Sequence, residues 1–294
     1  MKKILITGNS GYIGSHLSKM LDGDYELYGL DKVDPQYKVK KHYKLDIKSL
    51  LNIKEEFDAI VHLAALVNVG ESELQPTDYY MTNLFGTLNI LQHVKTKNFI
   101  FASTGAAEKC ESAYGVSKRA TEDCVREFCQ VNNVPFTTFR FYNVIGSDGF
   151  KPTNPDGLMY NLMQAPTKGD FTIFGTDYDT IDGTCIRDYV HVVDLIEAHV
   201  SALKILASPG HHVINLGSGR GDSVLEVIQS IEAQLEISAD LEFLPRRSGD
   251  PAVLVAAYDR AHVLLGWSPK RGMDQMVQDA IRAKTQVRCI QHFP

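Results

Sequence analysis

The chain has few cysteines, no excess of positive charge and no long apolar run. Its five cysteines (Cys110, Cys124, Cys129, Cys185 and Cys289) are odd in number, and no two stand in a C-x-x-C spacing. That argues against a disulfide framework and a zinc site, and no metal is expected. Free thiols in a reducing cytosol are the expectation. Lys and Arg number 30 against 36 Asp and Glu, a formal net charge of −6. A nucleic-acid binder needs a basic footprint, so no nucleic acid is expected as a partner. Nor is a membrane, because no stretch approaches the roughly 20 apolar residues of a spanning helix. The opening run Met1–Gly8 is too short for the apolar core of a signal peptide and stops at glycine. A cytoplasmic location is therefore expected. No internal repeat, low-complexity segment or linker is visible.

What is present is an ordinary globular composition, 44% hydrophobic and 22% charged over 294 residues. At about 150 residues per domain, that length suits one or two domains. Apolar runs at 3–7, 25–31, 42–46, 59–65, 98–104 and 136–143 are rich in Ile, Val, Phe and Leu. Such runs suit parallel strands covered on both faces. Helical periodicity lies between them. Ile13, Leu17, Met20 and Leu21 share a face in 12–21, and Val116, Ala120, Cys124 and Phe128 form an i+4 stripe in 115–129. The alternation predicts an α/β fold: a Rossmann-type doubly wound parallel sheet. The character changes near residue 145. A loop-rich stretch covers 146–183, a strand pattern returns at 212–218, and Ser223-Val-Leu-Glu226 reads as a capping box opening a helix to about 235. The expected division is a cofactor domain over 1–145, with about 184–216 returning to it. A smaller, partly interleaved C-terminal substrate domain would comprise 146–183 and 217–294.

Two motifs carry chemistry. Gly8-x-x-Gly11-x-x-Gly14 follows the first strand and opens the first helix, where glycines let a pyrophosphate approach backbone N–H groups at the helix N-terminus. Asp31 lies 23 residues beyond Gly8, at the end of the second strand, where an acid binds a ribose 2′-hydroxyl. Its charge favours NAD over NADP, and Lys32 beside it weakens that preference slightly. The second motif is Tyr114-Gly-Val-Ser-Lys118, whose i,i+4 spacing puts phenol and ammonium on one helical face. A neighbouring cation favours the phenolate and makes Tyr a usable general base. Thr104, ending the strand at 98–104, offers a hydroxyl nearby. His62 and His191, in strand-like runs, read as structural, as does the turn tripeptide Arg220-Gly-Asp222.

These motifs are joined by Val61-His-Leu-Ala-Ala65, Val69-Gly-Glu-Ser72, Asn83, Phe174-Gly-Thr-Asp-Tyr-Asp-Thr-Ile-Asp-Gly-Thr-Cys-Ile-Arg-Asp-Tyr-Val-His191, Asn215-Leu-Gly-Ser-Gly219 and Pro245-Arg-Arg-Ser-Gly-Asp250. With them the chain resembles, nearly end to end, the extended short-chain dehydrogenase/reductase family, and within it the UDP-hexose 4-epimerases. The resemblance implies NAD-dependent 4-epimerisation of a UDP-hexose by transient C4 oxidation, rotation of the keto-sugar and re-reduction. Thr104, Tyr114 and Lys118 would form the reacting centre. Gly8, Gly11, Tyr12, Ile13, Gly14, Asp31, Lys32, Asp46, Ile47, Leu63, Ala64, Ala65, Asn83 and Tyr142, with Tyr114 and Lys118, would line the NAD site. Asn143, Leu158, Thr172, Phe174, Arg187, Arg247 and Asp250 would hold the UDP-sugar. Helices near 78–94 and 115–129 would pair across a two-fold axis in a homodimer.

The chain departs from that pattern at several points. Nine residues separate Thr104 from Tyr114, fewer than the family's usual loop, which helps wall the sugar pocket. Val67 stands where a lysine is common, and Leu254 where a residue gates 2-acetamido sugars. Two other readings stand beside the first: a sister nucleotide-sugar enzyme (dehydratase, decarboxylase or reductase) and a non-catalytic dinucleotide sensor. Gly105, Ala106 and Ala107 offer no acid–base group after Thr104, against the dehydratase and decarboxylase. A sensor has no use for Tyr114 and Lys118 together.

Overall fold

Continuous apolar runs build the central strands at Lys3–Thr7, Ala59–His62 and Phe99–Thr104, which are buried on both faces, whereas the edge strand at Lys41–Lys44 is polar and partly exposed. The computed structural model describes residues 1–150, 170–205, 211–247 and 249–290. Strands β1 (Lys3–Thr7), β2 (Glu26–Asp31), β3 (Lys41–Lys44), β4 (Ala59–His62), β5 (Phe99–Thr104), β6 (Phe136–Phe141) and β10 (His211–Leu216) form one parallel sheet in the order β10-β6-β5-β4-β1-β2-β3. Ile4, Ile6, Val61 and Phe139 face one layer, where α1 (Tyr12–Leu21) and α7 (Val192–Lys204) contribute Leu17, Leu21, Leu195 and Ile196. Leu5, Ile60, Phe99 and Phe101 face the other, against Ile90 and Leu91 of α4 (Gly86–His93) and Val125 and Cys129 of α6 (Ala113–Val131).

Several boundaries differ from the sequence expectation. β4 ends at His62 rather than at residue 65, because Leu63–Ala65 leave the sheet to wall a cavity. The expected helix over 78–94 is α3 (Pro76–Tyr79), then a π-helical turn Tyr80–Phe85, then α4. The buried face of α6 runs through Tyr114, Lys118, Thr121, Glu122, Val125 and Cys129. The apolar stripe read at Val116, Ala120, Cys124 and Phe128 lies partly exposed beside it.

The smaller unit is built on β9 (Ile186–His191), which pairs with β7 (Asn143–Ile145), β11 (Gly221–Ser223) and β13 (Val253–Leu254). Its core joins Ile145, Phe171, Ile173 and Tyr189 to α8 (Val224–Leu235) and α10 (Met273–Ile290). The capping box is formed: Ser223 Oγ accepts from the Glu226 N–H at 3.1 Å, and Glu226 accepts from the Ser223 N–H at 2.7 Å. β8 (Asp170–Phe174) pairs with β12 (Asp240–Leu244). Two buried aspartates bind the units together. Asp188 accepts from the N–H groups of Ser218, Gly219 and Ala256 at 2.6, 2.9 and 3.0 Å. Asp194 accepts from those of Lys270 and Arg271, both at 2.9 Å, and from the Arg271 guanidinium. Among the described residues no helix is long and apolar enough to cross a membrane, and no group of three or more His, Cys, Asp or Glu is placed to hold a metal ion.

Three buried histidines hold neutral structural positions. His62 bridges the hydroxyls of Thr7 and Thr87 at 2.7 and 2.8 Å. His16 sits between the Tyr12 carbonyl and the Asp148 N–H, and His199 lies on the Leu195 carbonyl against Phe139. Burial lowers their pKa values to about 3 for His62 and about 4 for the other two. Unfolded imidazoles titrate near 6.5, so between about pH 6.5 and 4 the unfolded chain binds more protons and stability falls as pH falls. By pH 5 each histidine is expected to remove on the order of 2 kcal/mol. Urea unfolding at pH 7 and pH 5 measures this; equal stabilities would contradict it.

Candidate active site

Strand ends of a parallel sheet converge on one edge, and here they enclose a cavity of about 720 Å³, a size suited to a ligand pocket. At one end, Gly8 has φ +71° and its N–H donates to the Leu30 carbonyl at 2.8 Å. A Cβ on Gly8 would meet Ala64 N at 2.8 Å, and one on Gly14 would lie 2.2 Å from the Gly8 carbonyl oxygen. Only glycine allows turn, strand end and helix to approach this closely. Gly11 caps α1 with no side-chain acceptor, so first-turn N–H groups remain available to an anion.

Asp31 lines the wall and accepts from the Ser10 and Val33 N–H groups at 3.1 and 3.3 Å. Tyr12, Ile13, Lys32, Asp46, Ile47 and Leu63–Ala65 complete this end. Asn83 is not on the wall. It is buried in the π-helical turn, where its side chain bonds the Leu66 N–H and carbonyl at 2.8 and 3.0 Å and the Ser117 hydroxyl at 3.1 Å. It fixes the wall rather than forming it.

Thr104, Tyr114, Lys118 and Tyr142 come together in the middle of the cavity. Tyr114 and Lys118 are 8% and 3% exposed, side by side on α6 as their spacing dictates. Their proton affinities differ from the sequence expectation. Burial pushes the Tyr114 phenol up to about 12, against a smaller opposing pull from a hydrogen bond with Thr104. Burial lowers Lys118 to about 7, and Glu122 one turn on partly restores it. Desolvation disfavours the charged form of both groups and outweighs their proximity. The Lys118 ammonium stands 4.4 Å from the centre of the Phe101 ring.

At the far end lie Asn143, Arg187, Arg247, Asp250 and Leu254. Arg187 donates to Asp250 at 2.5 Å and to the Ile186 carbonyl at 2.8 Å, leaving part of its five-donor fork free. Phe174 lies off the wall, its ring covered by the Arg247 guanidinium at 3.8 Å, and so supports that arginine. Thr172 is exposed and bonds Glu242 at 3.2 Å on β12, away from the cavity. Leu158 lies outside the described residues. Sequence reasoning missed Lys109 and Glu111, which line the wall from the short segment before Tyr114, and Cys185 beside Arg187. Their neighbourhood to Tyr114 and Arg187 was the available signal.

A glycine cradle at the switch of strand order, leading to a buried Tyr–Lys pair, defines a dinucleotide-dependent enzyme of the short-chain dehydrogenase type. The chain belongs to the NAD dependent epimerase/dehydratase family, whose sequence model matches residues 4–217. It is 34% identical to UDP-glucose 4-epimerase of Haemophilus influenzae, over 94% of this chain and 95% of that one. The crystal structure of UDP-glucose 4-epimerase from Bifidobacterium longum in complex with NAD+ and UDP superposes with a TM-score of 0.88 at 28% identity, covering 97% of this chain and 98% of that one. The UDP-Glc/GlcNAc 4-epimerase of Campylobacter jejuni gives 0.80 at 32% identity, covering 97% and 100%.

The close approach at Gly14 is directly testable. Gly14→Ala is expected to cost about 2 kcal/mol through forced backbone displacement and to weaken dinucleotide binding. Urea unfolding and calorimetric titration with NAD measure the two effects, and a variant equal to wild type in both would refute the cradle.

Proposed function

We propose that the protein catalyses NAD-dependent 4-epimerisation of a UDP-hexose, of the UDP-glucose/UDP-galactose type. The observation that carries this is the buried Tyr114–Lys118 pair midway between a dinucleotide cradle and an arginine-lined end. The large sheet over 1–142 with about 192–216 serves the cofactor; β7 and β9, expected on the cofactor side, pair in the smaller sheet and with 217–290 serve the nucleotide sugar. NAD fits the cradle through the Gly8, Gly11 and Gly14 backbone, the N-terminus of α1 and Asp31. When bound it supplies the acceptor and donor of the C4 hydride.

The chain's own residues supply the rest. Tyr114 takes the proton of the sugar 4-hydroxyl and later returns it, with the Thr104 hydroxyl bonded to the phenol. A phenol held near 12 must be lowered before it acts. A protonated Lys118 and the positive charge of oxidised nicotinamide both work in that direction. Arg187 and Arg247 grip the diphosphate, while Asp250 and Asn143 hold the nucleoside and sugar. Firm binding at the nucleotide end leaves the sugar free to turn between the two hydride transfers, so binding energy is used away from the reacting carbon.

Incubation with UDP-glucose, UDP-galactose and their 2-acetamido analogues, followed by separation of epimers, tests the activity. Tyr114→Phe is expected to lose about 10²–10⁴ in rate with UDP affinity unchanged, whereas Arg247→Ala mainly weakens UDP binding. A Tyr114→Phe enzyme that epimerises at the wild-type rate would refute the role of this residue.

The free thiols and acidic surface support a cytoplasmic enzyme. Leu74, Met81, Phe85 and Val116 are exposed by 83, 45, 45 and 37% on α2 (Val69–Leu74), the π-helical turn and α6, which pack together. A second copy of the chain is the proposed cover for this face, as an isologous homodimer. Light scattering is expected to give twice the chain mass; a monomer at micromolar concentration would refute it.

A further inference from the structure

Ser72 is fully buried on α2, behind the cavity wall. Its hydroxyl donates to the Val69 carbonyl at 2.6 Å and accepts from the Tyr114 N–H at 3.1 Å. Val69 lines the cavity. Tyr114 is the second residue of α6, where a backbone N–H has no acceptor within its own helix. The two flanking N–H groups are met in the same way. Glu73 accepts from Ala113 at 2.7 Å, and Ser112, the helix's own cap, accepts from Gly115 at 3.1 Å. Tyr79 stands edge-on to the Tyr114 ring, with centroids 6.3 Å apart, and donates to Glu71 at 2.9 Å. The short helix α2 therefore holds Tyr114 by its backbone and, through Tyr79, by its ring.

We propose that Ser72 is a positioning residue for Tyr114, its hydroxyl coupling the cavity wall at Val69 to the backbone that carries the phenol. The inference rests on the reading of Tyr114 as proton acceptor. A helix capped by solvent or by its own side chains tolerates small rotations at its first turn. Here the first turn is tied to the wall that a ligand touches, so a ligand pressing on Val69 and the phenol that must meet it move as one unit. Ser72 touches neither substrate nor cofactor. Its loss should therefore leave binding intact and impair the geometry of proton transfer, where a displacement of about 1 Å can cost about 10²-fold.

The test compares wild type with Ser72→Ala and Ser72→Cys in the full chain. The readouts are kcat with the UDP-hexose that is turned over, UDP affinity by calorimetry, and the ring NMR signal of Tyr114, identified by its loss in Tyr114→Phe. Ser72→Ala is expected to lower kcat about tenfold or more with UDP affinity unchanged. Addition of UDP-glucose, whose hexose would reach the Tyr114 end of the cavity, should move the Tyr114 signal in wild type and not in Ser72→Ala. Ser72→Cys, which keeps the volume and only a weak acceptor, should fall between the two. A kcat within about threefold of wild type in both variants overturns the proposal, as does a rate loss matched by an equal loss of UDP affinity. The ring signal reports on the coupling whether or not any UDP-hexose is turned over. Failure of the functional reading is thus separable from failure of this one.

Discussion

Close approach of backbone to backbone at the end of β1 is the constraint on which the rest of the site depends. β1 lies between β4 and β2, so the chain leaving it at Gly8 must turn within reach of both neighbours. The Gly8 N–H reaches back to Leu30 on β2, and the Gly8 Cα faces Ala64 beyond β4. Side chains larger than hydrogen at positions 8 and 14 would push α1 away from the sheet edge. The free N–H groups at its N-terminus would then no longer face the cavity. The short β4 belongs to the same constraint: by leaving the sheet after His62, the chain places Leu63–Ala65 against the turn. Asn83 and the Thr7–His62–Thr87 hydrogen bonds fix that exit from behind.

The far end of the cavity is held by a different device. Its residues come from β7, β9, β13 and the segment before β13, outside the large sheet. Buried aspartates join these pieces through backbone N–H donors. Asp188 gathers three segments, and Asp194 pins 270–271 to the start of α7. A carboxylate with several N–H partners has its lone pairs satisfied where an apolar contact would leave donors orphaned. Removing either aspartate would leave those N–H donors unpaired.

Much of the architecture was legible because it follows from period and punctuation. Alternating apolar strands, the glycine turn, the 12–21 helix and the Ser223–Glu226 box all obey local rules, and the structure has them where the sequence puts them. The placement of Tyr114 beside Lys118 also follows from helical geometry alone. Hydrophobic periodicity failed on α6 for a physical reason. Its buried face carries Ser117, Lys118, Thr121 and Glu122, with Glu122 paired to Arg140 at 2.7 Å and bonded by Ser103 at 2.6 Å. A face that buries polar groups for chemistry does not look apolar, so the eye is drawn to the neighbouring stripe. Contacts between residues far apart in sequence left no local trace either. Arg247 over Phe174, Arg187 on Asp250 and Ser72 under Tyr114 depend on tertiary packing within each unit.

The polar face of α6 also explains the state of the reacting pair. Two groups that share a buried site in water-poor surroundings each lose the hydration of their charged forms. Tyr114 therefore keeps its proton, and Lys118 holds its own weakly. Glu122 is the nearest compensating charge, but its carboxylate is already committed to Arg140 and Ser103. The pair is thus poised rather than ionised, and its protonation follows the charge brought into the cavity. Positive charge near the phenol favours phenolate. A diphosphate drawn to Arg187 and Arg247 lies at the other end and disturbs it less, because charge attraction falls with distance and the arginines neutralise it locally. On the proposed function, separating the arginine end from Tyr114 would let one cavity hold a strongly charged ligand without quenching its base.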